Sequence, residues 1–110
     1  MTHRNNSIAH IVRCARFLFT TDALTIKAAA HTAPPGKLIL IVPKKIGSAP
    51  VRNRIRRRLR ELFRTSSIGQ QYHLVIFVKR PFDDISYTQL KELFQHLEQK
   101  LTIRSETTAQ

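Results

Sequence analysis

Apolar positions along the chain recur with two spacings, and these spacings divide it into elements. Ile8, Ile11, Val12 and Ala15 fall at helical intervals, with His10 and Arg13 elsewhere on the wheel, and predict a short amphipathic helix over 8–15. Between 23 and 29 the pattern changes to alternation: Leu24, Ile26 and Ala28 take turns with Thr25 and Lys27, as in a half-buried strand. Residues 31–36, with Pro34 and Pro35, form a turn. The run KLILIV over 37–42 then reads as a central strand, and the proline-containing turn between the two runs implies a hairpin.

Pro43 closes that strand and 44–48 form a basic loop containing Gly47. Ser48 can cap a following helix over 49–64, where Pro50 is tolerated because the first-turn N–H groups have no intrahelical partner. Val51, Ile55, Leu59, Leu62 and Phe63 occupy one sector of that helix and give it a core-facing stripe. Ser66, Ser67 and Gly69 end it. YHLVIFV, 72–78, is almost wholly apolar and rich in β-formers, as in a strand buried on both faces, and Arg80 with Pro81 terminates it. Asp84 or Ser86 can cap a last helix from 87 to about 101, with Leu90, Leu93, Phe94, Leu97 and Leu101 as its stripe, before a polar tail over 102–110.

The predicted order is α-β-β-α-β-α in an α+β sandwich, a central sheet with packed helices. One domain spans 1–110, with an ordered core over about 8–101. The second strand, the basic helix and the third strand form a βαβ unit, for which a right-handed crossover between parallel strands is the general rule.

Charge narrows the function. Nineteen Lys and Arg against seven Asp and Glu leave a formal net charge of +12, which makes the chain a partner for polyanions, nucleic acid first among them. No run of about 18 apolar residues occurs, and the basic helix has no Trp anchor along its apolar face, so a membrane is not the expected polyanion. Cys14 is the only cysteine, so neither an internal disulfide nor a cysteine-based zinc site can form, and a reducing compartment, the cytoplasm, is the simplest setting. An arginine-bearing, acid-poor N-terminus leaves an organellar transit peptide as the alternative address.

Between Lys44 and Arg64 stand nine Lys or Arg (Lys44, Lys45, Arg52, Arg54, Arg56, Arg57, Arg58, Arg60, Arg64) and one acid, Glu61, a local net charge of +8. At about 100° per residue from Ile55, the residues Arg52, Arg56, Arg60, Asn53, Arg64 and Arg57 spread from about 60° to about 200° as one basic face. Arg54 and Arg58 lie on the other flank of the apolar stripe, within reach of phosphate or snorkelling along the sheet edge. Like charges at i and i+4 repel by a few tenths of a kcal/mol per pair, so the isolated helix gains nothing from this pattern. A polyanion would neutralise it, and the guanidinium fork pairs bidentately with phosphate oxygens, which accounts for arginine over lysine. A merely solvated surface would interleave Glu with Lys.

The segment KKIGSAPVRNRIRRRLRELFR, from Lys44 to Arg64, resembles the signature of the bacterial ribonuclease P protein subunit, including its Arg-Asn-Arg element at Arg52, Asn53 and Arg54. The likeness covers roughly 8–101 and is strongest over 37–81, where the KLILIV strand precedes the signature and YHLVIFVKRP follows it. The resemblance implies a small α+β domain with an unusual left-handed βαβ crossover. It implies an arginine-rich helix docked on ribonuclease P RNA, probing near that RNA's catalytic core, with one protein per RNA. It also implies a cleft between the first helix and the sheet that holds the single-stranded 5′ leader of precursor tRNA. Cleavage itself would belong to the RNA with bound Mg²⁺, the protein being an accessory subunit. In the family, aromatic residues commonly stand on the first helix and first strand, where this chain has Ile8, Val12 and Ile26. Phe17 and Phe19 follow the first helix and offer either stacking surfaces for bases or ordinary core residues.

A protein that cut RNA unaided would need an acid/base pair or a carboxylate-held metal. Asp83 and Asp84 are adjacent before a predicted helix, where capping explains them; Glu61 stands alone, and His73 in the apolar strand reads as a buried structural histidine. There is no glycine-rich phosphate cradle, no Cys/His metal spacing and no nucleophile elbow. The alternative from another class is a non-enzymatic structural RNA-binding protein, ribosomal or architectural.

Overall fold

The structure, a computed structural model, describes residues 8–30, 36–81 and 86–109, with side chains as far as Leu101 in the last helix. Its elements are α1 (Ile8–Cys14), β1 (Arg16–Thr20), β2 (Leu24–Ala30), β3 (Leu38–Ile41), α2 (Ala49–Thr65), β4 (Tyr72–Val78) and α3 (Tyr87–Ala109), with one-turn 3₁₀ helices at Lys44–Ile46 and Ile68–Gln70. The expected α+β class holds, with one strand more than the spacing predicted. Arg16–Thr20, RFLFT, is a strand rather than a loop after the first helix.

The four strands lie in the order β1-β2-β4-β3, and this corrects the expected hairpin between β2 and β3. Those two strands are not neighbours: β4 stands between them, antiparallel to β2 and parallel to β3. The tight hairpin is β1–β2 instead. Thr21 accepts the N–H groups of Ala23 and Leu24 on its hydroxyl, each at 3.1 Å, and its own N–H reaches Leu24 O at 2.8 Å. A side chain that closes the turn in this way removes the need for glycine or proline there.

The centre of the sheet also differs from expectation. KLILIV was the expected central strand, yet β3 is an edge strand with all four residues only half-buried. β4 takes the centre because its mostly apolar residues can be buried on both faces: Leu74, Val75 and Ile76 are fully buried. The parallel β3-α2-β4 connection agrees with the predicted βαβ unit.

Period-two alternation sends successive side chains to opposite faces and produces two cores. On one face Leu24, Ile26, Ala28, Leu74, Ile76 and Val78 pack against α2 and α3 through Ile55, Leu59, Leu62, Leu90, Phe94 and Leu97. On the other face Ala29 and Val75 pack against Ile11 of α1, with Val12, Ile39, Ile41 and Phe77 around them. The protein is therefore a three-layer arrangement with α1 on one side of the sheet and the two long helices on the other.

Helix ends follow local chemistry. Ser86 and Gln89 cap α3 reciprocally: Gln89 N–H donates to Ser86 Oγ at 3.1 Å and Ser86 N–H to Gln89 Oε1 at 2.9 Å. Asp83 and Asp84 lie outside the described residues. The expected polar tail is instead a continuation of α3, which runs to Ala109, because no glycine or proline after Leu101 interrupts the helix. Glu98 of α3 accepts from Ser67 N–H and Oγ at 2.7 and 2.9 Å, tying the end of α2 to α3. Among the described residues no helix is long and apolar enough to cross a membrane.

Candidate nucleic-acid interface

α2 is seated by its apolar stripe. Ile55, Leu59 and Leu62 are buried in the larger core, and Val51 and Phe63 pack beside them. Each such side chain contributes on the order of 1.5–3 kcal/mol of burial, enough to hold the opposite face in place despite its self-repulsion. The basic face is thus a rigid ridge rather than a mobile tail.

Its start is locked as well. Ser48 is the N-cap residue, as expected, but its hydroxyl makes no capping bond. Arg52 supplies part of the closure: its Nε donates to Gly47 O at 3.2 Å while its backbone N–H donates to Ser48 O at 3.0 Å. A Cβ on Gly47 would lie 3.1 Å from Val51 Cγ1, so glycine lets the basic loop sit close on the first turn. Lys44 and Lys45, on their one-turn 3₁₀ helix, are exposed beside it.

Along the ridge, Asn53, Arg54, Arg57, Arg60 and Arg64 are exposed and Arg52, Arg56 and Arg58 half-buried. Asn53, Arg56, Arg57, Arg60, Glu61 and Arg64 line one open concavity. Two of its cations are held within the helix: Arg56 Nη1 donates to Asn53 Oδ1 at 3.3 Å, and Arg64 Nη2 to Glu61 Oε1 at 2.5 Å. Arg57 and Arg60 have no side-chain hydrogen bond or ion pair among the described residues, and neither do Arg54 and Arg58. Four guanidinium forks therefore stand ready for an external anion.

The five apolar residues singled out for a second surface do not gather together. Ile8, at 61% exposure, and Val12 belong to α1, and Phe17, at 55% exposure, stands opposite Lys27 on the α1 side of the sheet. Ile26 is wholly buried in the core beneath α2 and α3, which removes it as a contact residue. Phe19, opposite Ile26, packs against that same core, with its ring 6.3 Å from the His96 ring of α3. A register shift between Phe17 and Phe19 sends them to different sides.

What does share the α1 side with Phe17 is a set the sequence reading missed. Lys27 Nζ lies 5.4 Å from the centroid of the half-buried Phe77 ring. Thr20 and Thr25 face each other with hydroxyl oxygens 2.9 Å apart, and Lys79 Nζ donates to Thr20 Oγ1 at 3.0 Å. The signal was present in the alternation itself: a strand that buries Ile26 on one face must offer Thr25 and Lys27 on the other. Among the described residues no three of His, Cys, Asp and Glu gather where they could share a metal ion.

An arginine ridge clamped to a small α+β sheet, with an aromatic and cationic surface on the sheet's other side, gives this domain the electrostatic character of a partner for polyanions. The ribonuclease P family model matches residues 3–102, and the chain belongs to that family. It is 37% identical over 86 residues to the ribonuclease P protein component of Roseiflexus castenholzii, covering 74% of this chain and 70% of that one. It is 32% identical over 69 residues to the corresponding protein of Bacillus pumilus, a match that takes in 61% of this chain and 58% of its relative's length. The fold is shared with the RNase P protein of Thermotoga maritima, with TM-score 0.69 and 19% identity over 86% of this chain and 90% of that one. The RNase P protein of Staphylococcus aureus has TM-score 0.65 and 19% identity over 84% and 86%.

Proposed function

We propose that this chain is the protein subunit of ribonuclease P, docking on the catalytic RNA through the exposed face of α2 and assisting removal of the 5′ leader from precursor tRNA. The observation that carries this reading is the combination of a core-clamped helix with exposed guanidinium groups that no acceptor among the described residues satisfies. Arg57 and Arg60 hold two such groups within one concavity, with Arg56 and Arg64 beside them. Bidentate pairing with phosphate oxygens suits those forks, and one protein would serve one RNA.

The α1 side of the sheet is the surface for the leader. Phe17 and Phe77 present rings on which unpaired bases stack, and Lys27 with Lys79 supplies charge for the phosphates between them. The protein's own side chains do not suit a hard cation on the ridge, because its one carboxylate, Glu61, is already bonded to Arg64. Mg²⁺ in this reading is bound by the RNA, where it supplies the cleavage chemistry. The protein contributes binding, orientation and phosphate neutralisation, with no side chain acting on the scissile bond.

The test is reconstitution. The purified protein, added to a bacterial ribonuclease P RNA and precursor tRNA at low Mg²⁺, is expected to restore 5′ maturation and to cut nothing alone. Tight RNA binding without any rescue of cleavage would instead mark a structural RNA-binding protein and overturn the proposal.

A further inference from the structure

Glu61 is the only acid of α2. At about 100° per residue it falls near 240° from Ile55, between Arg57 and Arg64 on the ridge and Arg54 and Arg58 on the far flank. It lines the same concavity as Arg56, Arg57, Arg60 and Arg64, so a carboxylate stands in the wall of a groove otherwise shaped for phosphates. Its side chain is 46% exposed and that of its partner Arg64 is 71% exposed, so both are open to an incoming RNA.

A phosphate that enters the groove beside Arg64 must displace this carboxylate and then lie next to it. Displacing an exposed ion pair costs little, and the nearby negative charge adds repulsion of the same order. Such a cost does not prevent binding, but it ranks the ways of binding. An arbitrary duplex can slide along the ridge in many registers, and those that use the Arg64 end are penalised. An RNA whose phosphates meet Arg57, Arg60 and Arg56 without using that end loses nothing.

We propose that Glu61 is a specificity-determining residue of the ridge: it withholds Arg64 from the phosphates of arbitrary RNA and so lowers unspecific affinity more than cognate affinity. This rests on the reading of α2 as the docking surface for ribonuclease P RNA. A carboxylate that only steadied the helix would change binding to every RNA by the same factor.

The experiment compares wild type, Glu61→Gln, Arg64→Ala and Arg60→Ala for binding to a bacterial ribonuclease P RNA and to an unrelated RNA duplex, across a salt series. Glu61→Gln is expected to tighten duplex binding about two- to five-fold and to steepen its log K against log salt slope by about 1, leaving the ribonuclease P RNA within about two-fold. Equal tightening for both RNAs, or no change for either, would overturn the proposal while leaving the docking surface intact. A wild-type protein with no preference for ribonuclease P RNA would overturn the docking reading and this inference with it. Arg64→Ala gives a second criterion: it is expected to weaken duplex binding less than Arg60→Ala does, and the opposite order would contradict a withheld Arg64.

Discussion

Phe17 stands directly across from Lys27 on the neighbouring strand, while Phe19, two residues on, stands across from Ile26. The register shift between them divides two similar side chains into different roles. Phe17 is more than half exposed on the α1 side, and Phe19 is half-buried against the core. Phe17→Ala is therefore expected to weaken binding of single-stranded leader RNA by about 1–3 kcal/mol, the loss of one stacking partner, with stability changed by no more than about 0.5 kcal/mol. Phe19→Ala is expected to lower the melting temperature and to act on RNA only through that loss. Fluorescence-anisotropy titration of a leader oligonucleotide beside thermal melts separates the two outcomes.

His73 is the buried polar residue of β4, at 4% exposure, and its Nδ1 accepts the backbone N–H of Lys37 at 2.9 Å. That bond and the one from Leu74 N–H to Lys37 O, at 2.9 Å, pin the entry of β3 to the central strand. His73→Phe keeps an aromatic ring in place but removes the acceptor. It is expected to cost about 1 kcal/mol of stability in denaturant titration, with an unchanged fold.

Leu59 has no exposed surface and sits in the middle of the stripe that seats α2. Leu59→Ala is expected to cost about 2–5 kcal/mol, with RNA affinity falling in step as the ridge loses its support. Affinity kept intact in a protein destabilised to that degree would show that the ridge does not depend on its packing.

The elements with a strong single period were legible in the sequence: the α2 stripe, the apolar β4 and the α3 stripe all stand close to their expected places. The order of the strands was not. A proline-containing connection between two strands suggests a local hairpin, but pairing is decided by which strand can be buried on both faces, and β4 is long enough and apolar enough to be buried on both, whereas the four residues of β3 are only half-buried. β1 was missed because RFLFT contains a register shift, so its three central apolar residues show no clean alternation. The ridge was legible because charge and helical spacing are properties of the sequence. The second surface was not, since placing Lys27 beside Phe77 and Phe17 requires knowing which strands are neighbours.

The claim on which the account rests is that the exposed face of α2 neutralises RNA phosphates, and its most direct measurement is the salt dependence of affinity for a bacterial ribonuclease P RNA. Arg57→Ala and Arg60→Ala are each expected to flatten the log K against log salt slope by about 1 and, in combination, by about 2, with no change in melting temperature beyond that of other surface substitutions. Slopes identical to that of the wild type in both variants would contradict the account, because the RNA would then be held somewhere other than this helix.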